Sequence, residues 1–424
     1  MGASISRTVE SVNSWVTTPK FATLLASPTT HPTAPPPSSP FVGVYDGKTD
    51  KVRFRVFYPA SPPSSPSPSS SSSQSFCPKQ HGKQVPLFYD GLGKAVLGYL
   101  HTMSPLHSDT FLFSLLSPLL RITSDWFIPL SYARLPSAHH HLSVLPPSSS
   151  SGYPLIVFSH GLTGSGEEHG SMFSHWARQG FIVVTLNHCD GSSSRAVDAQ
   201  GKEIFYHHPP GLKGRPGVYP EDYRQKQVEK RGEELYHITQ AILSSSSCLP
   251  PSLSSVINPN KIIAAGFSYG ATTVAQAIAT HPNTYSAALL LDGWFALDLA
   301  SITSCPSNEI IPFPSSAHTL PDSLSTTPCC FIGTTAFQNV QHLRECTEVL
   351  REKSGEGSEA HVLDDTIHWS FVDLVFWLSW LSSPFYKRVA KMSGINPRIE
   401  ESYVELFELT TKFLLKVAQK EKEE

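Results

Sequence analysis

Ser268 is the residue around which chemistry in this chain can be built. It sits in Gly266-Phe267-Ser268-Tyr269-Gly270, entered from a β-branched run with Ile262 and Ile263 and left through Ala-Thr-Thr-Val at helical spacing. Strand, sharp turn and helix form the context that a G-x-S-x-G nucleophile elbow requires. The glycines have a steric reason to be there: a serine held in a strained turn has neighbouring chain close by, and side chains at 266 or 270 would collide with it.

A serine hydroxyl is a weak nucleophile at neutral pH and needs an adjacent base. Histidine suits that role, with a carboxylate fixing its tautomer and supporting the imidazolium. Of the 19 histidines, His160, His188, His281 and His368 fall near predicted strand or helix ends. The order Ser…Asp…His of α/β hydrolases excludes His160 and His188, which precede Ser268. His281 falls at the far end of the elbow helix, which leaves His368. For the acid, Asp292 is preferred because it directly ends a buried strand run. Asp298, Asp322, Asp364 and Asp365 remain rivals. Backbone N–H groups of Leu162 and Tyr269 are the expected oxyanion donors. Leu162 lies in the glycine-rich loop His160-Gly161-Leu162-Thr163-Gly164, which follows a buried strand.

The elements that must position these residues read as a βαβ series. Residues 153–161 and 181–187 are apolar strand runs separated by the helical stretch 170–179, so the sheet is parallel. Residues 219–243 form a long charged helix, and the elbow strand and helix follow. Residues 286–291, 328–333 and 360–363 are further strands, 369–381 is apolar with helical period, and 399–420 is a terminal amphipathic helix. Ahead of this series, residues 41–58 read as a β-hairpin turning at Asp46-Gly47. His139-His140-His141 reads as a solvated loop, since no spaced carboxylate or cysteine accompanies it. Residues 87–133 read as helices packed on the core, with Phe111, Leu112 and Phe113 the centre of a rival reading as a lipid-seeking ridge.

Composition limits the alternatives. Across 424 residues, 40 % hydrophobic content suffices for a core, while 36 prolines and 16 % charged residues mark long unfolded stretches. Residues 1–40 are a Ser/Thr/Pro-rich tail expected to be disordered, and Ser-rich insertions fall near 60–75 and 146–152. Residues 41–420 are then one α/β domain. A net charge of −3 gives no basic footprint for nucleic acid. Seven cysteines without C-x-x-C pairs read as mostly buried thiols in a reducing compartment, and no metal site is expected. No stretch is apolar enough to span a bilayer, and the N-terminus lacks a signal-peptide hydrophobic region. Met1-Gly2-Ala3-Ser4-Ile5-Ser6 fits the myristoylation pattern at Gly2. The expected location is cytoplasmic and peripheral to membranes, with organellar targeting by the tail as the other reading.

Taken together, YPLIVFSHGL, RQGFIVVTLNHCDGSS, RQKQVEKR, KIIAAGFSYGATT, LLLDGWFALDL and IHWSFVDLVFW resemble the platelet-activating factor acetylhydrolases, the group VII phospholipases A2. The resemblance is closest in character to the intracellular type. It implies an α/β-hydrolase fold with a mostly parallel sheet flanked by helices, an N-terminal hairpin and apolar membrane-facing helices. It also implies Ser268 as nucleophile, Asp292 rather than Asp322 as acid, and His368 as base, with Leu162 and Tyr269 at the oxyanion positions. The implied activity is Ca²⁺-independent release of acetyl, short or oxidised sn-2 acyl groups from phospholipid through an acyl-enzyme, with no cofactor. Membrane contact through Phe111, Leu112, Phe113, Trp377 and Leu378 is implied too, and the pattern at Gly2 looks like that of the intracellular type. Asn187-His188-Cys189-Asp190 departs from the family's Glu-His-Arg-Asp, and Tyr269 stands where Phe is common. These departures bear on substrate choice. Two other readings compete: an α/β hydrolase for a different ester, and a lipid-binding module without activity.

Overall fold

A computed structural model describes residues 41–62, 83–86, 88–103, 134–208, 223–244, 248–295, 322–373 and 398–419. The strands are β1 (Phe41–Lys48), β2 (Arg53–Ala60), β3 (Gln84–Pro86), β4 (Arg134–His140), β5 (Tyr153–Ser159), β6 (Ile182–Leu186), β7 (Arg195–Val197), β8 (Glu203–Phe205), β9 (Ile257–Phe267), β10 (Ala287–Leu291), β11 (Cys329–Thr334) and β12 (Glu359–Leu363). The helices used below are α1 (Leu92–Met103), α2 (Gly170–Arg178), α3 (Tyr223–Leu243), α4 (Tyr269–Thr280), α5 (Gln341–Lys353) and α6 (Ile399–Gln419).

Ten strands form one sheet in the order β12-β11-β10-β9-β5-β6-β2-β1-β4-β3, with β7 and β8 paired separately. From β12 to β6 every pairing is parallel, and β2 joins β6 antiparallel. This is the mostly parallel sheet that the strand runs and the resemblance imply. Its central strands are apolar at nearly every position because both faces are covered. In β9, Ile263, Ala265 and Phe267 enter one core with Phe173 and Trp176 of α2 and Phe407 of α6. Ile262 and Ala264 enter the other, with Leu235 of α3, Val274 of α4 and Leu350 of α5.

Chain order decides where the site falls. From β5 the chain steps to β6 on one side, then returns to β9 on the other side of β5 and continues outward to β12. The loops after β5 and β9 therefore diverge at one sheet position, and crevices at such switch points are where open α/β sheets bind ligands.

Two local expectations are corrected. The hairpin does not turn at Asp46-Gly47, because both lie inside β1, opposite Arg55 and Phe54. Asp46 takes 2.7 Å from Arg55 Nε across the pair, and a β-carbon on Gly47 would run into the Phe54 ring. The turn falls at Thr49, whose hydroxyl accepts from Val52 N–H at 3.1 Å. Likewise, His139 and His140 are not in a solvated loop but in β4, which pairs parallel with β1 and antiparallel with β3. His140 is buried and lies 3.9 Å from Asp46.

Cys329, Cys330 and Cys346 are buried free thiols. No helix among the described residues is long and apolar enough to cross a membrane.

Candidate active site

Ser268 joins β9 directly to α4 with φ 56° and ψ −120°. That left-handed backbone is costly for a non-glycine residue and points to function when the surroundings enforce it. Here they do. Ser268 N–H donates to Leu291 O at 2.8 Å, and Ser268 O accepts from Trp294 N–H at 3.1 Å, so the elbow is latched to the end of β10. The flanking glycines are required by close approach. A β-carbon on Gly266 would meet the Gly270 carbonyl, and one on Gly270 the Ser159 carbonyl.

The three sequence-predicted groups meet at the C-terminal ends of the strands. Ser268 Oγ is 2.9 Å from His368 Nε2, and His368 Nδ1 is 2.6 Å from Asp292 Oδ2. Asp292 follows directly on β10 with φ 43°, and its side chain is fully buried. Its carboxylate also accepts from Thr334 N–H at 2.7 Å and Thr334 Oγ1 at 2.9 Å. An acid so held accepts the Nδ1 proton, which leaves Nε2 free to take the serine's. His368 opens a 3₁₀ turn after β12 and is partly exposed. Its ring lies between two phenyl rings, Phe267 at 4.6 Å and Phe337 at 4.1 Å, both stacked. Neither Thr334 nor Phe337 was singled out from the sequence. Thr334 follows immediately on the strand run 328–333, and that adjacency was the available signal.

The loop after β5 crosses Ser268 closely: a β-carbon on Gly161 would sit 3.3 Å from Ser268 Cβ. Among the described residues, the Leu162 and Tyr269 N–H groups have no protein acceptor. Tyr269 opens α4, so its N–H and the positive end of the helix dipole face an anion formed on Ser268. Such an arrangement can do acyl transfer: a hydroxyl with a base, an oriented acid, and donors for a tetrahedral oxyanion.

The remaining candidates lie elsewhere. His281 ends α4, stacked on Tyr236 at 3.7 Å and 2.9 Å from Glu233. Asp364 and Asp365 are exposed, with Asp365 3.7 Å from Arg398. Asp322 starts a short helical turn, and Asp298 lies outside the described residues. Gly2, Phe111, Leu112, Phe113, Trp377 and Leu378 also lie outside them. Cys330, Glu359 and His361 bring possible metal-ligand atoms within 4.8 Å of one another, but at the opposite strand ends. There burial and the Glu359 charge push the Cys330 thiol well up, against the pull of Lys416.

The family model described as platelet-activating factor acetylhydrolase, isoform II, matches residues 130–421. The chain belongs to that family. The match takes in the elbow, Asp292, His368 and α6, and so the whole arrangement above. Platelet-activating factor acetylhydrolase from Canis lupus familiaris is 26 % identical over 250 residues, which are 54 % of this chain and 50 % of that protein. The protein of the same name from Gallus gallus is 23 % identical over 262 residues, 55 % of this chain and 56 % of that one. The chain thus spans about half the length of the curated relatives it matches. A ferulic acid esterase from Streptomyces cinnamoneus superposes with a TM-score of 0.55 at 12 % identity, covering 92 % of both chains. That likeness establishes the shared α/β-hydrolase fold.

Proposed function

We propose that this chain is a serine esterase that removes acetyl, short or oxidised sn-2 acyl groups from phospholipids, working without calcium. The observation that carries the reading is the unbroken chain from Ser268 Oγ through His368, 2.9 Å and 2.6 Å per step, to Asp292 within the acetylhydrolase family match.

In the proposed cycle, His368 Nε2 takes the Ser268 proton as Oγ attacks the sn-2 carbonyl carbon. The carbonyl oxygen becomes an oxyanion held by the Leu162 and Tyr269 N–H groups. Collapse breaks the ester C–O bond, and His368 gives its proton to the departing lysophospholipid oxygen. Water, deprotonated by the same imidazole, then attacks the acyl-enzyme and releases the acid and Ser268. Asp292, immobilised by Thr334, keeps the imidazole in the productive tautomer throughout.

The test is turnover of acetyl-sn-2 against palmitoyl-sn-2 phosphatidylcholine in the presence of a calcium chelator. The reading expects the acetyl lipid to be cleaved and the palmitoyl lipid spared. No acetyl turnover, together with cleavage of a generic soluble ester, would replace it with an esterase acting on another substrate.

A further inference from the structure

Behind the oxyanion loop lies a second Ser–His–carboxylate chain that the proposed cycle does not use. Ser159 Oγ is 2.9 Å from His188 Nε2, and His188 Nδ1 is 2.8 Å from Glu234 Oε2. All three residues are buried, and the His188 side chain is fully sealed where that of His368 is 24 % exposed. Arg231 Nη2 donates to Ser159 Oγ at 3.0 Å. With that lone pair engaged, the Ser159 proton goes to His188 Nε2, and the imidazole's own proton on Nδ1 goes to Glu234. The Ser159 hydroxyl and both His188 ring nitrogens are thus committed, which suits holding rather than attack.

What it holds is Arg231. This guanidinium is fully buried, 0 % exposed, and its donors reach three segments of the site. Nη2 also donates to the His160 carbonyl at the start of the oxyanion loop. Nη1 donates to Ser192 Oγ at 2.7 Å, and the Ser192 carbonyl accepts from Thr163 N–H at 2.8 Å. Nε donates to Thr273 Oγ1 at 3.0 Å in the elbow helix, and the guanidinium sits 5.0 Å over the Tyr269 ring. The Leu162 side chain packs with Tyr269 and with Val228, one turn before Arg231 on α3.

Peptide planarity turns these contacts into an aim. In a trans peptide the C=O and the following N–H point in opposite directions. The Gly161 carbonyl is taken by His160 Nδ1 at 2.7 Å and by Gly164 N–H at 3.3 Å, so the Leu162 N–H of the same unit must face the other way. His160 in turn is fixed through its own carbonyl by Arg231, and its Nε2 accepts from His188 N–H at 3.2 Å.

We propose that Arg231, set in place by Ser159, His188 and Glu234, is a positioning residue that aims the Leu162 and Tyr269 N–H groups at the oxyanion formed over Ser268. The inference rests on the esterase reading above and adds to it the device that holds the oxyanion hole in shape.

The experiment uses Ser159→Ala and Arg231→Lys in the full chain, with p-nitrophenyl acetate as a soluble substrate. Losing the aim of a donor costs transition-state binding, so kcat is expected to fall about 10- to 100-fold with KM within about twofold. A trifluoromethyl ketone, whose serine adduct carries the oxyanion, should bind more weakly by the same factor. An unreactive ether analogue of the substrate should bind as before. A merely structural role would not split the two inhibitors in this way. Ser159→Ala leaves no charge unpaired and decides the matter if Arg231→Lys fails to fold. Wild-type activity with folded variants within twofold in kcat would overturn the inference alone. A wild-type chain that cleaves no ester would overturn the esterase reading and this inference with it.

Discussion

The molecule holds two Ser–His–carboxylate chains whose distances barely differ: 2.9 Å and 2.6 Å for Ser268, His368 and Asp292, against 2.9 Å and 2.8 Å for Ser159, His188 and Glu234. Their surroundings differ in each respect that matters for attack. Ser268 sits in a left-handed elbow at a helix N-terminus, while Ser159 is the last residue of a sheet strand. The Ser159 hydroxyl oxygen is engaged by a buried guanidinium, and its histidine is sealed from solvent where His368 is partly exposed. Hydrogen-bond distances alone therefore do not define a nucleophile. Access, an uncommitted lone pair and waiting oxyanion donors do.

The sharpest way to break this comparison is covalent labelling. A fluorophosphonate should modify Ser268 and leave Ser159 untouched, read by mass spectrometry of the peptides. Ser268→Ala should abolish labelling and lower ester turnover by about 10⁴-fold or more. Label on Ser159 would make the buried set a nucleophile and undo the distinction. Asp292→Asn tests the orientation of the Ser268 set. An amide in that place favours the wrong imidazole tautomer, and kcat should drop about 10⁴-fold with KM nearly unchanged. A loss below tenfold would show that the flanking Phe267 and Phe337 rings orient His368 without the carboxylate.

A milder test concerns those rings. Phe337 is stacked on His368 with an interplanar angle of 3°, and nothing comparable is needed around the sealed His188. Aromatic stacking contributes about 0.5–1.5 kcal/mol, so Phe337→Ala should lower kcat/KM about 3- to 10-fold through a loosened imidazole. Unchanged kinetics would mean that the acid alone fixes the ring.

The Ser268 set was legible in the sequence and the Ser159 set was not, for physical reasons. Gly266 and Gly270 mark the elbow because close chain approach leaves no room for a side chain. Apolar runs at both sheet faces gave β5, β6, β9 and β10, and chain order then singled out His368. Asp292 needed the family resemblance to part it from Asp322. Arg231, by contrast, lies in RQKQVEKR of a long charged helix with nothing local to mark it, yet its side chain is fully buried. Its partners come from β5, the loop after β6 and α4, contacts that no local pattern encodes. The same cause misplaced the hairpin turn and the histidine run. Asp46 and Gly47 are good turn formers locally, but pairing with Arg55 and Phe54 overrides them. His139 and His140 become strand residues only through pairing with β1 and β3.

The last way to sharpen the comparison uses the carboxylate of the buried set, through stability rather than rate. Burial pushes the Glu234 carboxyl up to about 7, although the Lys230 and Arg231 charges pull it down. Unfolded, the group titrates in the ordinary range near 4.5. Between these values the folded chain holds a proton that the unfolded chain has released, so stability falls as pH rises through that window. Glu234→Gln removes this dependence and keeps a carbonyl oxygen for the His188 Nδ1 proton. His188, held neutral by burial and then by the Arg231 charge, is present in both proteins and drops out of the difference. On going from pH 7 to pH 6, wild type should gain about 1 kcal/mol relative to Glu234→Gln in urea unfolding. Parallel stability curves for the two proteins would show that Glu234 is ionised in the folded chain. The buried set would then be a charged scaffold around Arg231 throughout this range, rather than one that takes up a proton as pH falls through about 7.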